Sequence, residues 1–183
     1  MYYDLLCYYS ALYYDGFQDF LASNYDDKTL GSQLVLDLVE VNYSFVPLPY
    51  HHSSWIPATV TPYVINKCQA DMATCQFHDF LKFNFDNQDT LLNAVDTPYD
   101  DLVTMYKADL VTKFGFPIAD LDQIYSEFDL QAIAFMAAND YQLGTSNQVS
   151  GTPTVFVNGI KLDTFPTTAE TWAQILETLV AAQ

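Results

Sequence analysis

The chain has 183 residues, 50% of them hydrophobic, which is enough apolar side chain for the core of one domain and too much for a disordered segment. Six lysines, no arginine and 23 acidic residues leave a net charge of −17. Such a surface repels nucleic acid and anionic lipid, and without arginine no bidentate clamp for phosphate or carboxylate can be built.

Residues 1–6 are apolar and aromatic and predict a strand. Residues 10–24 place Ala11, Leu12, Phe17, Phe20 and Leu21 at helical spacing. Gly31-Ser32 punctuates the chain. Leu34 to Val46 (LVLDLVEVNYSFV) then reads as one long strand, buried on both faces because its alternation is imperfect. Pro47 and Pro49 end it.

Residues 54–148 read as four or five helices. Apolar residues recur at three- and four-residue intervals at Phe77, Phe80 and Leu81, at Leu91, Leu92 and Val95, at Leu102, Met105 and Tyr106, and at Leu130, Ile133, Ala134 and Ala137. Breaks are expected at Pro98, at Gly115-Phe116-Pro117 and at Gly144. Thr154 to Val157 predicts a strand, Asn158-Gly159 a tight hairpin, and Ile160 to Leu162 the return strand. Thr167 with Glu170 fits a capping box, opening a helix to about Ala181 with Trp172, Ile175, Leu176 and Leu179 on one face. A β-α-β unit and a β-β-α unit around one mixed sheet, with a helical insertion, make an α/β domain.

No apolar run approaches the ~18 residues of a membrane span. Met1-Tyr2-Tyr3-Asp4 has neither the basic region nor the apolar stretch of a secretory leader, and a leader removed ahead of Met1 stays an open alternative. Three cysteines occur: Cys7, Cys68 and Cys75. On one straight helix the Cα atoms of Cys68 and Cys75 would lie ~10.5 Å apart, too far for a disulfide. A helix break within 69–74 allows the bridge, which would indicate an oxidising compartment. The alternative is two buried thiols. Asn42-Tyr43-Ser44 is a glycosylation triplet, near chance level in a chain of this length and meaningful only in a secreted protein. His51-His52 points its rings apart, with no third ligand nearby in sequence, so a turn or cap role is expected and a metal is not.

Two segments carry a family resemblance. Gly151-Thr152-Pro153-Thr154-Val155-Phe156-Val157-Asn158-Gly159 resembles the GTPT-F-VNG segment of DsbA-like thioredoxin-fold proteins. Val46-Pro47-Leu48-Pro49-Tyr50-His51 is similar to the FPLPYH stretch of the same family. Asp4-Leu5-Leu6-Cys7-Tyr8-Tyr9-Ser10 lies where that family has its Cys-x-x-Cys or Cys-x-x-Ser site. The resemblance implies a thioredoxin core formed by 1–53 and 149–183, with 54–148 inserted, all in a single domain. It also implies a cis Thr152–Pro153 bond opposite Cys7, beside a surface that pairs with extended peptides. Two departures stand out: the proline usual after the first cysteine is Tyr8, and the second cysteine is Ser10.

A thiolate at a helix N-terminus is stabilised by the helix dipole, but disulfide exchange needs a second thiol to resolve the mixed disulfide. Ser10 cannot resolve one. Three readings therefore stand. The first is a non-catalytic binding or assembly module descended from a redox enzyme, with Tyr8, Tyr9 and Thr152 meeting a protein or peptide. The second is a monothiol oxidoreductase using Cys7 with glutathione, in which Ser10 donates a hydrogen bond to the sulfur and Pro153 shapes the groove. The third is a secreted homo-oligomer subunit, its tyrosines at a self-contact and Asn42 glycosylated. A secreted or extracellular location is favoured over a cytoplasmic one.

Overall fold

The computed structural model describes residues 1–27, 31–127, 147 and 149–181. Labels below number the elements of these residues in chain order.

The first strand, β1, is only Tyr2–Tyr3. It stops there because the next side chain competes for the backbone: the Asp4 carboxylate accepts the Leu6 N–H (2.9 Å) and the Asp4 carbonyl accepts the Cys7 N–H (3.0 Å), a turn in the manner of an Asx motif. Helix α1 follows at Tyr8–Leu21, starting two residues before the expected 10 and ending before 24. It buries Tyr14, Phe17, Phe20 and Leu21, whereas Leu12, expected on that face, is half exposed.

The predicted strand 34–46 does not form. Asn24–Asp27 (β2) and Gly31–Leu34 (β3) make an antiparallel hairpin. Val35–Asp37 then turn as a 3₁₀ helix, and strand returns only at Ser44–Phe45 (β4). The sequence looks β-rich, but strand preference rewards packing on a pleated, half-buried surface. Val35 is buried, Leu36 and Leu38 are exposed, and Val39, Val41 and Tyr43 pack half-buried on the core without joining a ladder.

The helical block runs α2 (Trp55–Ala70), α3 (Phe77–Asp86), α4 (Gln88–Leu92), α5 (Tyr99–Phe114) and α6 (Ile118–Glu127). Pro98 caps the start of α5, and Gly115, at φ 67°, supplies the left-handed residue that ends it. Leu130, Ile133, Ala134, Ala137 and Gly144 lie outside the described residues. Phe156–Val157 (β5) and Ile160–Lys161 (β6) form the expected hairpin, with Asn158 at φ 48° and Gly159 at φ 81°. Helix α7 is Ala169–Ala181. Its start is capped by Thr168, whose Oγ1 accepts the Thr171 N–H (3.3 Å), not by Thr167 as expected.

β4 pairs in parallel with β1, and Thr154 bridges the other edge of Tyr2 in antiparallel sense with bonds of 2.8 and 3.0 Å. The Leu162 N–H to Val155 carbonyl bond (3.0 Å) extends the last hairpin towards that bridge. The result is a mixed α/β molecule with short strands and long helices. The regular pairings fall into three two-stranded pieces, where one continuous mixed sheet was expected.

Aromatic rings fill the space that short strands leave. Tyr3, fully buried, meets Tyr14, Tyr43 and Phe85 with ring centroids 5.7–6.3 Å apart, and these rings join the helical block in the main core. Phe17 and Phe20 sit on Trp172 (4.8 and 5.9 Å), tying α1 to α7. That contact depends on Gly16, where a Cβ would run into the Thr167 carbonyl oxygen and stand 3.2 Å from the Thr168 Cα. Gly16→Ala should therefore destabilise the protein: overpacking costs about 1–3 kcal/mol, more than the ~1 kcal/mol that alanine contributes over glycine in a helix. A melting temperature equal to or above that of the parent would refute the close approach.

Candidate functional site

The loop after β1 ends on the one unbonded cysteine among the described residues. Cys7 is the N-cap of α1, with extended backbone (φ −79°, ψ 120°) and no side-chain cap of its own. It is 5% exposed. Its Sγ–H donates to the Thr152 carbonyl oxygen at 3.1 Å, across 145 residues of sequence. That bond sets the proline loop and the cysteine face to face; the Thr152–Pro153 peptide is cis. Gln88, reaching in from α4, donates to the carbonyls of Leu5 (3.0 Å) and Cys7 (2.9 Å) and holds this turn from the other side.

Ser10, one turn into α1, is fully buried, and its hydroxyl has no hydrogen-bond partner. The expected bond from Ser10 to the cysteine sulfur is not made. The helix turns position 10 into the core, and the Cys7 thiol is already committed to the opposite loop. Thr152 presents its backbone to the site, while its own Oγ1 is buried without a partner. Tyr8 and Tyr9 are exposed (64% and 56%) and pack edge to face at 5.5 Å. Tyr9 continues to Tyr13 (6.1 Å), and Tyr13 stacks on Phe165 (5.1 Å). Tyr50, 70% exposed, stands over the same region. Its phenol is raised above the ordinary value by desolvation first, then by the nearby Cys7 and Asp4.

Under Cys7 lies a group whose role the sequence did not disclose. The Asp4 carboxylate, 1% exposed, accepts from the Leu6 and Leu48 N–H groups (2.9 Å each), from His51 Nδ1 (2.7 Å) and from the Ser54 hydroxyl. The His51 ring is thereby tied to a buried carboxylate through Nδ1. Asp4 ties together the end of β1, the 46–51 loop and the start of α2. Its spacing three residues before Cys7 was the available signal, while Ser54 and Gln88 gave none.

Cys68 and Cys75 form a disulfide with Cα atoms 4.3 Å apart. The geometry works because α2 ends at Ala70 and Met72–Thr74 turn as a 3₁₀ helix, Asp71 accepting the Ala73 N–H (3.0 Å). Asn42 is exposed, and Ser44 is buried in β4. Among the described residues no three His, Cys, Asp or Glu side chains gather as for a metal, and no helix is long and apolar enough to cross a membrane.

Among the described residues, concavities lie elsewhere. One is a void of about 20 Å³ beside Asn84 and Tyr106, the size of a single water. Another is an open groove of about 440 Å³ along Leu162–Thr167 and the outer face of α7. Neither takes Cys7 into its lining. In chemical terms the site offers a covered thiol, a shaped backbone at the proline loop and a rim of phenol rings. No family model, no curated protein and no solved structure matches this chain.

Proposed function

We propose that this protein is a DsbA-like thioredoxin-fold member that works as a non-catalytic binding or assembly module. The fold reading is supported by the order β4, β1, Thr154 and the last hairpin, by α1 leaving directly from Cys7, and by the cis proline loop facing that residue. The functional reading rests on one observation: the Cys7 thiol is covered and donates to the Thr152 carbonyl, while position 10 holds a buried serine in place of a resolving thiol. A nucleophile must reach its disulfide, and a mixed disulfide must be resolved. Neither condition is met by this arrangement alone. The exposed rings of Tyr8, Tyr9 and Tyr50 provide contact area of the kind enriched where proteins meet, for a protein segment or a second copy of the chain.

The second reading, a monothiol oxidoreductase that uses glutathione, draws on the placement of Cys7 at a helix N-terminus. An insulin-reduction and glutathione-exchange assay of the chain beside Cys7→Ala separates the two. Equal rates are expected, and a rate that falls to background in the variant would select the monothiol enzyme.

A further inference from the structure

We propose that Asn42 carries an N-linked oligosaccharide, added before β4 closes on β1. This goes beyond the binding role and does not depend on it. Three observations converge. The triplet Asn42-Tyr43-Ser44 meets the acceptor rule for this modification. The fold turns its asparagine outward: Val41 and Tyr43 on either side are half-buried against the core, while Asn42 itself is exposed. Its side-chain amide donates one hydrogen bond, to the exposed Glu40 carboxylate (3.0 Å), while the Met1 nitrogen bonds only its backbone carbonyl (2.8 Å), so a bulky group on Nδ2 displaces no core contact. Independently, Cys68 and Cys75 are joined, which marks a chain that folds where disulfides persist. In the secretory lumen, that compartment is also where oligosaccharide is transferred.

The order of events follows from Ser44. In the folded chain it is buried, and its N–H is bonded to the Met1 carbonyl (2.8 Å) in register with Tyr2. A transferase that must read the third residue of the triplet meets it only while 42–44 is still extended and unpaired. In the transfer, Asn42 Nδ2 attacks the anomeric carbon of a polyprenyl-pyrophosphate-linked oligosaccharide. The N–C bond forms as the C–O bond to phosphate breaks. The pyrophosphate leaves with the bonding pair, and Nδ2 gives up one proton to a base of the transferase.

The test has two arms. Protein isolated from the cells that make it is digested and mapped by mass, with and without peptide N-glycosidase in heavy-oxygen water. The peptide containing Asn42 should bear a glycan that the glycosidase removes, leaving a labelled aspartate; a fully unmodified Asn42 would overturn the proposal. Translated into microsomes behind a secretory leader fused ahead of Met1, the parent chain and Ser44→Thr should each gain one oligosaccharide, and Asn42→Gln and Ser44→Ala none. Ser44→Thr and Ser44→Ala disturb β4 similarly but differ in the acceptor rule, so equal glycosylation of the two would also refute it. Finally, the prefolded protein, mixed with transferase and donor, should stay unmodified until it is unfolded; efficient transfer to the folded form would disprove the stated order.

Discussion

Replacing Asp4 by alanine is expected to lower stability by about 3–5 kcal/mol, the scale for removing one partner of a buried ionic hydrogen-bond network. The carboxylate satisfies two backbone N–H groups, a serine hydroxyl and the His51 ring at once. Truncation leaves the two backbone N–H groups and the Ser54 hydroxyl buried without this partner, and each buried donor without a partner costs about 1–3 kcal/mol. At ~2–4 °C per kcal/mol for a chain of this size, the melting temperature should fall by roughly 6–20 °C. Asp4→Asn should lose less, because its carbonyl oxygen still accepts, although its amide then faces groups that also donate. An exposed carboxylate such as Asp163 serves as the control, with a change within about 0.5 kcal/mol. Chemical denaturation of the three variants checks this, and a loss below 1 kcal/mol in Asp4→Ala would show that Asp4 is not the tie between β1, the 46–51 loop and α2.

The second large effect is alkaline unfolding. Tyr3, Tyr14, Tyr106 and Tyr125 are all buried, and burial, the leading cause for each, pushes their phenols far above the ordinary value near 10. The sign follows from linkage. Above pH ~10 the unfolded chain gives up these protons and the folded chain keeps them, so the stability they support is complete below that pH and lost as pH rises. Each phenol removes about 1.4 kcal/mol per pH unit. Four of them over two units match the whole stability of an ordinary domain, about 5–15 kcal/mol. Tyrosinate absorbance should therefore rise cooperatively, together with loss of helical circular dichroism, between pH 10 and 12. Gradual ionisation of these four with the helices intact would refute the account. Tyr3→Phe refines it: the Tyr3 hydroxyl is buried without a partner, so its removal should stabilise the protein by about 1 kcal/mol and move the alkaline midpoint upward.

The rim of the candidate site was legible early and its interior was not. Cys7, Ser10, Thr152, Pro153, Tyr8 and Tyr9 stood out through the resemblance to DsbA-like segments, and the structure brings Cys7 and the Thr152–Pro153 loop together. What the spacing could not convey was direction. Whether a serine one turn into a helix faces a sulfur or the core depends on how that helix rolls on Tyr3 and Trp172, contacts made by residues far away in the chain. The same holds for Asp4, whose partners His51 and Ser54 lie 47 and 50 positions later. A lone aspartate near a cysteine reads as an opposing charge until its donors are seen.

The amino-acid sequence alone determined the places where the backbone has few choices. Pro98 and Gly115 bound α5, and Asn158-Gly159 turns the last hairpin at positive φ. These are local constraints of ring, missing Cβ and hydrogen-bond supply, felt whatever the rest of the chain does. Only the tertiary structure decided that 34–46 would be mostly turn and loop, that Asp4 would organise three segments, and that Cys7 would be covered. Strand pairing, burial and the satisfaction of a charged group are set by partners distant in sequence, and a pattern read along the chain holds no record of which partner arrives.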